Sequence, residues 1–331
     1  MARPRVVITG GAGFIGSHLA DELVAAADTV LIDHLRAGTR ANVAGALAQG
    51  ARLVKRDLLW GDLRPLLRRA EIVYHLAANP DVRIGKGGTK VHIDQNVVVT
   101  HRVLEACRAV RVPRVVFAST STVYGEARTV PTPEDYGPPT PISLYGASKL
   151  AAEALVSAYA HTYGIQAVVF RMANVLGGRS GHGVVHDLVR KLHRAPKRLE
   201  IIGADPGTSK SYVHVDDVLS GFRSGLAAAE GPLTVYNLGS EDAITVREIA
   251  DSICDELRLP DVEYEWTGGS GAGRGWLGDV RTMRLDIRRL RATGWRPRMT
   301  SAQAVRKAAR ELWARLSNPR SGGSVPERRR V

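Results

Sequence analysis

Short runs of β-branched and other apolar residues alternate with amphipathic stretches through the first half of the chain. The first run, Val6–Ile8, enters a glycine turn, and residues Ser17–Leu23 leave that turn with helical spacing. Further strand-like runs follow at Thr29–Asp33, Arg52–Lys55, Ile72–Leu76, Val115–Ala118 and Gln166–Phe170. Helical patterns lie between them, among them Lys90–Val110 and Ala147–Tyr163. This alternation predicts an α/β fold, a doubly wound parallel sheet with helices on both faces.

The regular alternation ends near Asn174, where glycine-rich loops, short helices and isolated strands take over. Connections between domains are commonly marked by such shifts in composition. We therefore predict a main domain over residues 1–173 and a smaller C-terminal α/β lobe over residues 174–316, with residues 213–240 returning to the main domain. Residues 317–331 are rich in Pro, Gly, Ser and Arg, and this composition predicts a basic, flexible tail.

A repeated glycine spacing follows the first predicted strand. Gly10, Gly13 and Gly16 form a G-x-x-G-x-x-G pattern between the strand and the helix. In a dinucleotide fingerprint the first glycine permits a tight turn, the second lets a pyrophosphate approach, and the third lets the helix pack closely on the strand. The free N–H groups of the helix N-terminus would then face the phosphates. An ordinary glycine-rich turn of another α/β protein is the alternative for this pattern taken alone.

An acidic residue follows at the distance that such a cofactor site needs. Asp33 ends the second predicted strand, 23 residues after Gly10. A carboxylate there binds the adenosine ribose hydroxyls and repels the 2′-phosphate of NADP, so the sequence favours NAD. Arg36 and Arg40 lie just beyond and weaken this preference slightly. Asp57 follows the third strand, where it could bond the adenine amine or simply cap its own loop, and both interpretations stay open.

Tyr145 and Lys149 lie four residues apart in a predicted helix, so both side chains can meet one ligand. A phenol with a pKa of about 10 is a weak base at neutral pH, but a nearby ammonium and a helix N-terminus both favour the phenolate. Such a tyrosine can accept a hydroxyl proton as hydride leaves the same carbon. Thr120, in the hydroxyl-rich stretch after the fifth strand, could bridge the substrate and the phenol. A surface helix with an unrelated Tyr and Lys is the alternative for this spacing alone.

Composition narrows the class of protein. The chain has 331 residues, 44% of them hydrophobic, enough for a sizeable core in one large domain or two intimate ones. No apolar run approaches the roughly 20 residues of a membrane span, and residues 5–16 are too rich in glycine for a signal peptide. Cys107 and Cys254 lie far apart with no metal-ligand spacing around them. We therefore expect a cytoplasmic protein with reduced thiols, no metal and no membrane partner.

The formal net charge of +13 is compatible with nucleic-acid binding, but its distribution argues against it. Arginines are spread along the whole chain, and no basic stripe alternates with aromatic residues. The dense cluster Arg328–Arg330 lies in the predicted tail. The charge suits an anionic substrate, and we expect no nucleic-acid partner.

Taken together, these motifs resemble the extended short-chain dehydrogenases/reductases, which have a Rossmann fold, and specifically their NAD-dependent nucleotide-sugar epimerase/dehydratase group. The resemblance covers about residues 5–316. It rests on motifs that occur in the family's order: Thr9–Leu19, Asp33, Asp57-Leu58, His75–Ala78, Asn96, Ser119–Gly125, Tyr145–Lys149, Arg171–Asn174, Tyr212–Asp217 and Gly278–Val280.

The resemblance implies a role for each matching residue. The catalytic triad would be Thr120, Tyr145 and Lys149. The implied site for a tightly bound, recycled NAD comprises Gly10, Gly13, Phe14, Ile15, Gly16, Asp33, Asp57, Leu58, Leu76, Ala77, Ala78, Asn96, Ser119, Tyr145, Lys149 and Met172. The implied site for the nucleotide sugar comprises Arg83, Thr120, Ser121, Thr122, Tyr145, Asn174, Val185, Lys210, Tyr212, Arg274, Asp279 and Met283. Lys210 stands where many relatives carry arginine, and lysine keeps the charge without the bidentate fork.

The loop before Tyr124 bears on the reaction. Dehydratases of this group usually carry Asp-Glu there and uronate decarboxylases usually carry Ser-Glu, whereas this chain has Ser121 and Thr122. A hydroxyl-only loop resembles that of UDP-glucose 4-epimerases. We therefore predict inversion at C4 of a UDP-hexose through a transient 4-keto sugar. The alternatives are a UDP-glucuronate 4-epimerase, a UDP-glucuronate decarboxylase or another dehydratase and, outside catalysis, an NAD- or RNA-binding relative.

Two further properties follow from the resemblance. Met283 aligns with a position that limits sugar size at C2, and its flexible side chain leaves UDP-glucose, UDP-N-acetylglucosamine and UDP-glucuronate open. The helix over Lys90–Val110 and the helix after Tyr145 commonly form a four-helix interface in the family. We therefore expect a homodimer.

Overall fold

A computed structural model describes residues 3–82, 88–270, 273–276 and 278–318 of the chain. Its strands are β1 (Arg5–Thr9), β2 (Asp28–Asp33), β3 (Arg52–Lys55), β4 (Ala70–His75), β5 (Arg114–Thr120), β6 (Gln166–Met172), β7 (Asn174–Leu176), β8 (Arg198–Ile201), β9 (Ser209–Lys210), β10 (Tyr212–His214), β11 (Leu233–Leu238), β12 (Ile244–Thr245), β13 (Glu263–Trp266) and β14 (Thr282–Met283). The six strands predicted from apolar runs in the first half of the chain are all present.

The helices begin with α1 behind the glycine turn. They are α1 (Phe14–Leu23), α2 (Ala44–Ala48), α3 (Arg64–Leu67), α4 (Lys90–His92), α5 (Val99–Val110), α6 (Leu144–Tyr163), α7 (Val184–Arg194), α8 (Val215–Ala227), α9 (Val246–Leu257), α10 (Arg288–Arg291) and α11 (Ser301–Ser317).

Seven parallel strands form the main sheet, in the spatial order β11-β6-β5-β4-β1-β2-β3. From β1 the chain builds β2 and β3 on one side and then β4 to β6 on the other. The strand order therefore reverses between β1 and β4, and ligands of doubly wound sheets bind at this point. The predicted fold class, a doubly wound Rossmann sheet, is confirmed.

Alternate side chains of the strands pack on opposite faces of the sheet, as the pleat requires. Val7 of β1 belongs to an apolar cluster with Val103 of α5 and Val156 of α6. Its neighbour Ile8 belongs to a second cluster with Leu19 of α1 and Phe222 of α8, on the other face. Because both faces are covered, the strands are continuous apolar runs without a polar side.

Two of the observed helices differ from those that the apolar periodicity predicts. The segment predicted as one helix over Lys90–Val110 is helical throughout, but a π-helical stretch, Ile93–Val98, separates α4 from α5. Helix α6 begins at Leu144 rather than Ala147, since the Gly146 N–H donates to the Ser143 hydroxyl at 3.0 Å and this contact caps the helix. Tyr145 therefore lies in the first helical turn.

The remaining elements surround a third apolar cluster, formed mainly by α7, α9 and α11. Here β10 pairs with β7, β13 with β8, and β9 with both β12 and β14. We call α7, α9, α11 and these seven short strands the C-terminal elements. Strand β11, with Leu233 opposite Ala167, lies in the main sheet. The division into two domains stays a prediction.

The expectations about membrane spans, thiols, metals and the tail can be compared with the described part of the chain. None of the described helices combines the length and the apolar character that crossing a membrane requires. Cys107 and Cys254 are free and buried. Within the described residues, no cluster of His, Cys, Asp and Glu is suited to hold a metal ion. The residues of the predicted tail beyond Asn318, including Arg328–Arg330, lie outside the described part.

We expect acid to destabilise the fold through His75, the last residue of β4. Its ring is fully enclosed and forms hydrogen bonds with Thr9 Oγ1 (2.7 Å) and Thr100 Oγ1 (3.0 Å). Burial lowers the pKa of His75 from 6.5 to about 3, and the charge of Lys149 acts in the same direction. The unfolded chain therefore binds more protons between pH 6.5 and 3, so the free energy of unfolding falls as the pH is lowered through this range.

Between pH 7 and pH 5, protonation of this histidine in the unfolded chain should lower the free energy of unfolding by about 2 kcal/mol. The measurement is the urea midpoint of unfolding at the two pH values, for the parent and for His75→Gln. We expect the variant to lose less stability than the parent between the two pH values. Equal losses in both proteins would show that His75 does not carry the effect.

Candidate active site

A cavity of about 770 Å³ opens at the carboxyl ends of the main strands and extends to the C-terminal elements. The ends of β1, β2, β4, β5 and β6 contribute Gly10, Asp33, Leu76, Thr120 and Met172. From the C-terminal elements, Leu188 of α7, Ile201 of β8 and Met283 of β14 line the opposite part. The cavity thus spans the strand-order reversal and reaches from the main sheet to the C-terminal elements.

The glycine turn at one end of the cavity has no space for side chains. Gly10 has a φ of +69°, and a Cβ there would lie 2.8 Å from the Ala77 nitrogen. A Cβ on Gly16 would lie 2.3 Å from the Gly10 oxygen, so α1 packs directly on the turn. Gly13 precedes α1 and provides no side-chain cap, which leaves the first N–H groups of α1 to a ligand. This arrangement fits the diphosphate of a dinucleotide.

The Asp33 carboxylate is fixed in place at the end of β2. Its Oδ2 accepts from the Ala12 N–H at 3.0 Å and its Oδ1 from the Leu35 N–H at 2.8 Å. Asp33 is buried and lines the cavity beside Gly10 and Gly13. A carboxylate oriented by two backbone donors retains lone pairs for ribose hydroxyls, which suits NAD.

Asp57 caps its own loop, and its contact with adenine stays a prediction. Its Oδ1 accepts from the Leu59 N–H at 3.0 Å, which caps its own loop, and the residue also lines the cavity next to Leu58. Its Oδ2 lies 3.4 Å from Nη2 of Arg36, so Asp57 partly neutralises this arginine.

Helix α6 carries Tyr145 and Lys149 on the face that lines the cavity. The Tyr145 hydroxyl lies near the Thr120 hydroxyl at the end of β5, close enough to interact with it. The Thr120 hydroxyl also accepts from the Thr122 N–H at 3.2 Å, so the loop holds it in position. The three side chains predicted to form the catalytic triad therefore lie together in the cavity.

Burial dominates the protonation of both groups. It raises the pKa of Tyr145 to about 12, opposed by the interaction with Thr120. It also lowers the pKa of Lys149 to about 7, opposed by the charge of Glu153. The expectation that the helix surroundings favour the phenolate is wrong for the protein by itself, because desolvation favours the neutral form of each group.

A buried network behind Lys149 fixes the catalytic helix to the sheet. The Lys149 ammonium lies 3.9 Å from the centre of the Phe117 ring. One turn later, Glu153 accepts from Nη2 of Arg171 on β6 at 2.7 Å, and Arg171 Nη1 donates to the Tyr124 hydroxyl at 2.9 Å. The sequence analysis missed Glu153, although its spacing of four from Lys149 places it on the same helix face.

Asn96, implied to bind the cofactor, does not line the cavity. It is buried in the π-helical stretch, where its Oδ1 accepts from the Asn79 N–H at 2.7 Å and its Nδ2 donates to the Ser148 hydroxyl at 2.9 Å. Asn96 thus joins the segment after β4 to α6. Its amide groups are occupied by these neighbours, so we assign it to positioning the cavity wall.

At the other end of the cavity, Lys210 of β9 forms an ion pair with Asp279, and both side chains are largely buried. The ammonium also lies 5.6 Å from the centre of the Trp276 ring. Asn174 donates to the Ser211 carbonyl at 3.3 Å. Lys210, Asp279 and Asn174 line the cavity, so they can contact a ligand there.

Two of the residues implied to bind the substrate do not line the cavity. Val185 is enclosed in the third apolar cluster, and α7 lines the cavity through Val184, Asp187, Leu188 and Lys191 instead. Arg274 does not line the cavity, since its Nη2 donates to Glu126 Oε1 at 2.8 Å and thereby ties the 273–276 segment to the chain after β5. Arg83, a third member of the implied substrate site, lies outside the described residues.

The other predicted site residues line the cavity. In the cofactor part they are Gly10, Gly13, Phe14, Ile15, Gly16, Asp33, Asp57, Leu58, Leu76, Ala77, Ala78, Ser119, Tyr145, Lys149 and Met172. In the substrate part they are Thr120, Ser121, Thr122, Asn174, Lys210, Tyr212, Asp279 and Met283.

Residues 6–239 match the family model described as the NAD dependent epimerase/dehydratase family. The UDP-glucose 4-epimerase of Mycolicibacterium smegmatis is 34% identical over 313 residues, which cover 92% of this chain and 96% of that protein. A crystal structure of a UDP-galactose 4-epimerase is 40% identical, with a TM-score of 0.84 and coverage of 94% of this chain and 99% of that chain.

A third relative was solved with an acidic sugar nucleotide bound. The UDP-glucuronic acid 4-epimerase of Bacillus cereus, solved in complex with UDP-glucuronic acid and NAD, is 26% identical, with a TM-score of 0.83. The alignment covers 93% of this chain and 98% of that one. The glycine turn and Asp33 fit the cofactor that this relative binds. The chain therefore belongs to the NAD-dependent epimerase/dehydratase family, and its cofactor is NAD.

Proposed function

We propose that the protein inverts C4 of a UDP-hexose of the UDP-glucose/UDP-galactose type. The observation that carries this proposal is the hydroxyl-only loop after β5, where Thr120, Ser121 and Thr122 line the cavity beside Tyr145. Dehydration and decarboxylation need a further acid or base next to the sugar, and a hydroxyl group cannot supply it at neutral pH. Oxidation and reduction at one carbon need only the tyrosine and the cofactor.

The triad residues perform the proton steps. Tyr145 accepts the O4 proton, and Thr120, which lies near the Tyr145 hydroxyl, holds the sugar hydroxyl in line with it. NAD, which the glycine turn and Asp33 would hold, would supply the hydride acceptor and donor for C4, and its positively charged nicotinamide would favour the phenolate of Tyr145. The 4-keto sugar then turns over, so that C4 regains the hydride on its opposite face while Tyr145 returns the proton to O4. The reaction is redox-neutral, so NAD is recycled.

The residues at the far end of the cavity anchor the nucleotide while the sugar turns. Lys210 and Asn174 are placed to contact the diphosphate, and Tyr212 and Asp279 lie beside them. Met283 lines the same region from β14 and limits the space at the sugar. Strong bonds to the nucleotide and few to the sugar allow the 4-keto sugar to rotate without leaving.

A UDP-glucuronate 4-epimerase is the second candidate. It is favoured by the structural match to the B. cereus enzyme, whose TM-score of 0.83 nearly equals that of the UDP-galactose 4-epimerase. Both candidates share the chemistry at C4 and differ only in the group at C6. The assembled triad argues against a non-catalytic relative, because nucleotide binding alone does not need Tyr145 and Thr120 close together.

The deciding experiment incubates the protein with UDP-glucose, UDP-galactose, UDP-N-acetylglucosamine and UDP-glucuronate, without added NAD. NMR then reads the configuration at C4. We expect UDP-glucose and UDP-galactose to converge on one mixture, with no loss of water or carbon dioxide. Conversion of UDP-glucuronate alone would support the second candidate. Unchanged C4 in all four sugars, or release of carbon dioxide, would refute an epimerase.

We also propose that the protein is a cytoplasmic homodimer formed through α5 and α6. Large apolar side chains remain exposed in the π-helical stretch that leads into α5, Ile93 at 51% and Val98 at 37%, and at the two ends of α6, Leu144 at 41% and Tyr163 at 50%. Exposed apolar side chains on neighbouring helices are typical of an interface. Light scattering after gel filtration should give twice the mass of one chain, and Val98→Asp should shift it to one. A monomeric parent would contradict the proposal.

A further inference from the structure

Two arginines from the C-terminal half reach the cofactor end of the cavity. Arg179 follows β7, and Arg315 lies in the last turns of α11. Both line the cavity together with Gly13, Phe14 and Thr39, which belong to the glycine turn, to α1 and to the segment after β2. The family resemblance assigns no role to Arg315.

Hydrogen bonds hold Arg315 against the glycine turn between β1 and α1. Its Nη2 donates to Asn42 Oδ1 at 3.0 Å, and Asn42 Nδ2 donates to the Ala12 carbonyl at 3.0 Å. Its Nη1 donates to the Gly178 carbonyl at 3.2 Å. On the same helix, Glu311 Oε2 accepts from the Gly178 N–H at 2.8 Å. Helix α11 therefore fixes both Arg315 and the loop that carries Arg179.

Arg179 lies beside α1, bonded to its last turns, and lines the cavity together with Gly13 and Phe14. Its Nη2 donates to Asp21 Oδ2 at 2.7 Å, on α1 itself. Two residues earlier, Gly177 packs so closely on the Phe14 ring that a Cβ would lie 2.9 Å from it. Arg179 Nη1 is buried and has no hydrogen-bond partner among the residues that the structure describes. A buried guanidinium donor without a partner is costly unless a ligand accepts from it.

The local charge is positive towards the cavity. Arg179 and Arg315 line the cavity, whereas the neighbouring carboxylates of Asp21 and Glu311 do not. Burial, together with the charge of Arg179, lowers the pKa of Arg315, so the two cations repel each other. An anion between them would relieve this repulsion. The N-terminus of α1 favours negative charge at the same place.

We propose that Arg179 and Arg315 form a clasp that binds the diphosphate of NAD from the side opposite the glycine turn. The diphosphate is the part of NAD that carries negative charge, and two guanidinium groups match its oxygens. Such a clasp would help to retain a recycled cofactor between turnovers, since α11 and the loop after β7 hold both arginines near the glycine turn. The proposal rests on the family's cofactor and not on the identity of the sugar.

The test measures NAD binding without any sugar substrate. Arg179→Gln, Arg315→Gln and the double variant are purified, their NAD content per chain is determined after acid release, and the Kd for NAD is measured on stripped protein. We expect each change to raise Kd about tenfold or more and the double variant to be purified largely without NAD. Arg310→Gln is the matched control, because Arg310 is exposed on the same helix beside Glu256.

A Kd within twofold of the parent in the double variant, or the same loss in Arg310→Gln, would overturn the proposal. If the double variant fails to fold, the parent itself provides the test. Phenylglyoxal modifies accessible arginines, and mass spectrometry locates the modified sites in stripped protein with and without added NAD. We expect NAD to protect Arg179 and Arg315 and not Arg310. Equal modification of Arg179 and Arg315 in both samples would also overturn it.

Discussion

Replacing Tyr145 with phenylalanine is expected to lower kcat for the UDP-hexose by about a thousandfold, within the range for a missing general acid–base group. The substitution keeps the ring and removes only the hydroxyl that lies near Thr120 in the cavity. The glycine turn and Asp33 are untouched, so the variant should be purified with as much NAD as the parent. Initial rates from NMR at saturating substrate provide the measurement.

Burial raises the pKa of Tyr145 to about 12, and no other titratable side chain has been placed in contact with O4 to take over the proton transfer. Tyr163→Phe is the matched control, since Tyr163 ends the same helix and is half exposed. Its rate should equal that of the parent. A Tyr145→Phe rate within tenfold of the parent would remove Tyr145 from the proposed mechanism.

Lys149→Met should separate catalysis from stability. Methionine has a similar length but no charge, so kcat is expected to fall about a hundredfold or more, because the phenolate loses its neighbouring cation. Burial lowers the pKa of Lys149 to about 7, which shows that the ammonium is unfavourable where it lies. Removing it should leave the melting temperature at pH 7 unchanged or raise it.

Glu153 does not lose its only partner in this variant, since Arg171 still donates to it at 2.7 Å. Thermal unfolding followed by circular dichroism, together with kcat, checks both parts of the prediction. Lys197→Met, at an exposed position, serves as the control. An unchanged kcat would contradict the role of the charge. A melting temperature several degrees below the parent would show that Lys149 stabilises the fold instead.

Much of the site followed from local sequence. The glycine turn and the Tyr145–Lys149 pair each depend on spacing within one turn or helix, and such spacing sets geometry directly. Asp33 followed from its place at the end of the next predicted strand. The parallel sheet followed as well, because buried strands are short apolar runs with helices between them. Each of these strands, turns and helical pairs is a local pattern, so the sequence alone determined them.

The protonation of Tyr145 and Lys149 depended on the tertiary structure. The sequence placed an ammonium near a phenol and therefore predicted a favoured phenolate, but the pKa of Tyr145 is raised and that of Lys149 is lowered. Desolvation causes both shifts, and it depends on how many layers of protein enclose a group. No local pattern in residues 144–163 records that enclosure.

The long-range partners also depended on the tertiary structure. Arg274 meets Glu126, Arg171 meets Glu153, and Arg315 meets Asn42, although each pair is far apart in the chain. A charged side chain on a helix or loop has many equally suitable partners in sequence, and only packing selects one. The sequence by itself therefore determined the fold, the cofactor turn and the catalytic pair. The tertiary structure decided which charges face the cavity and which are neutralised behind it.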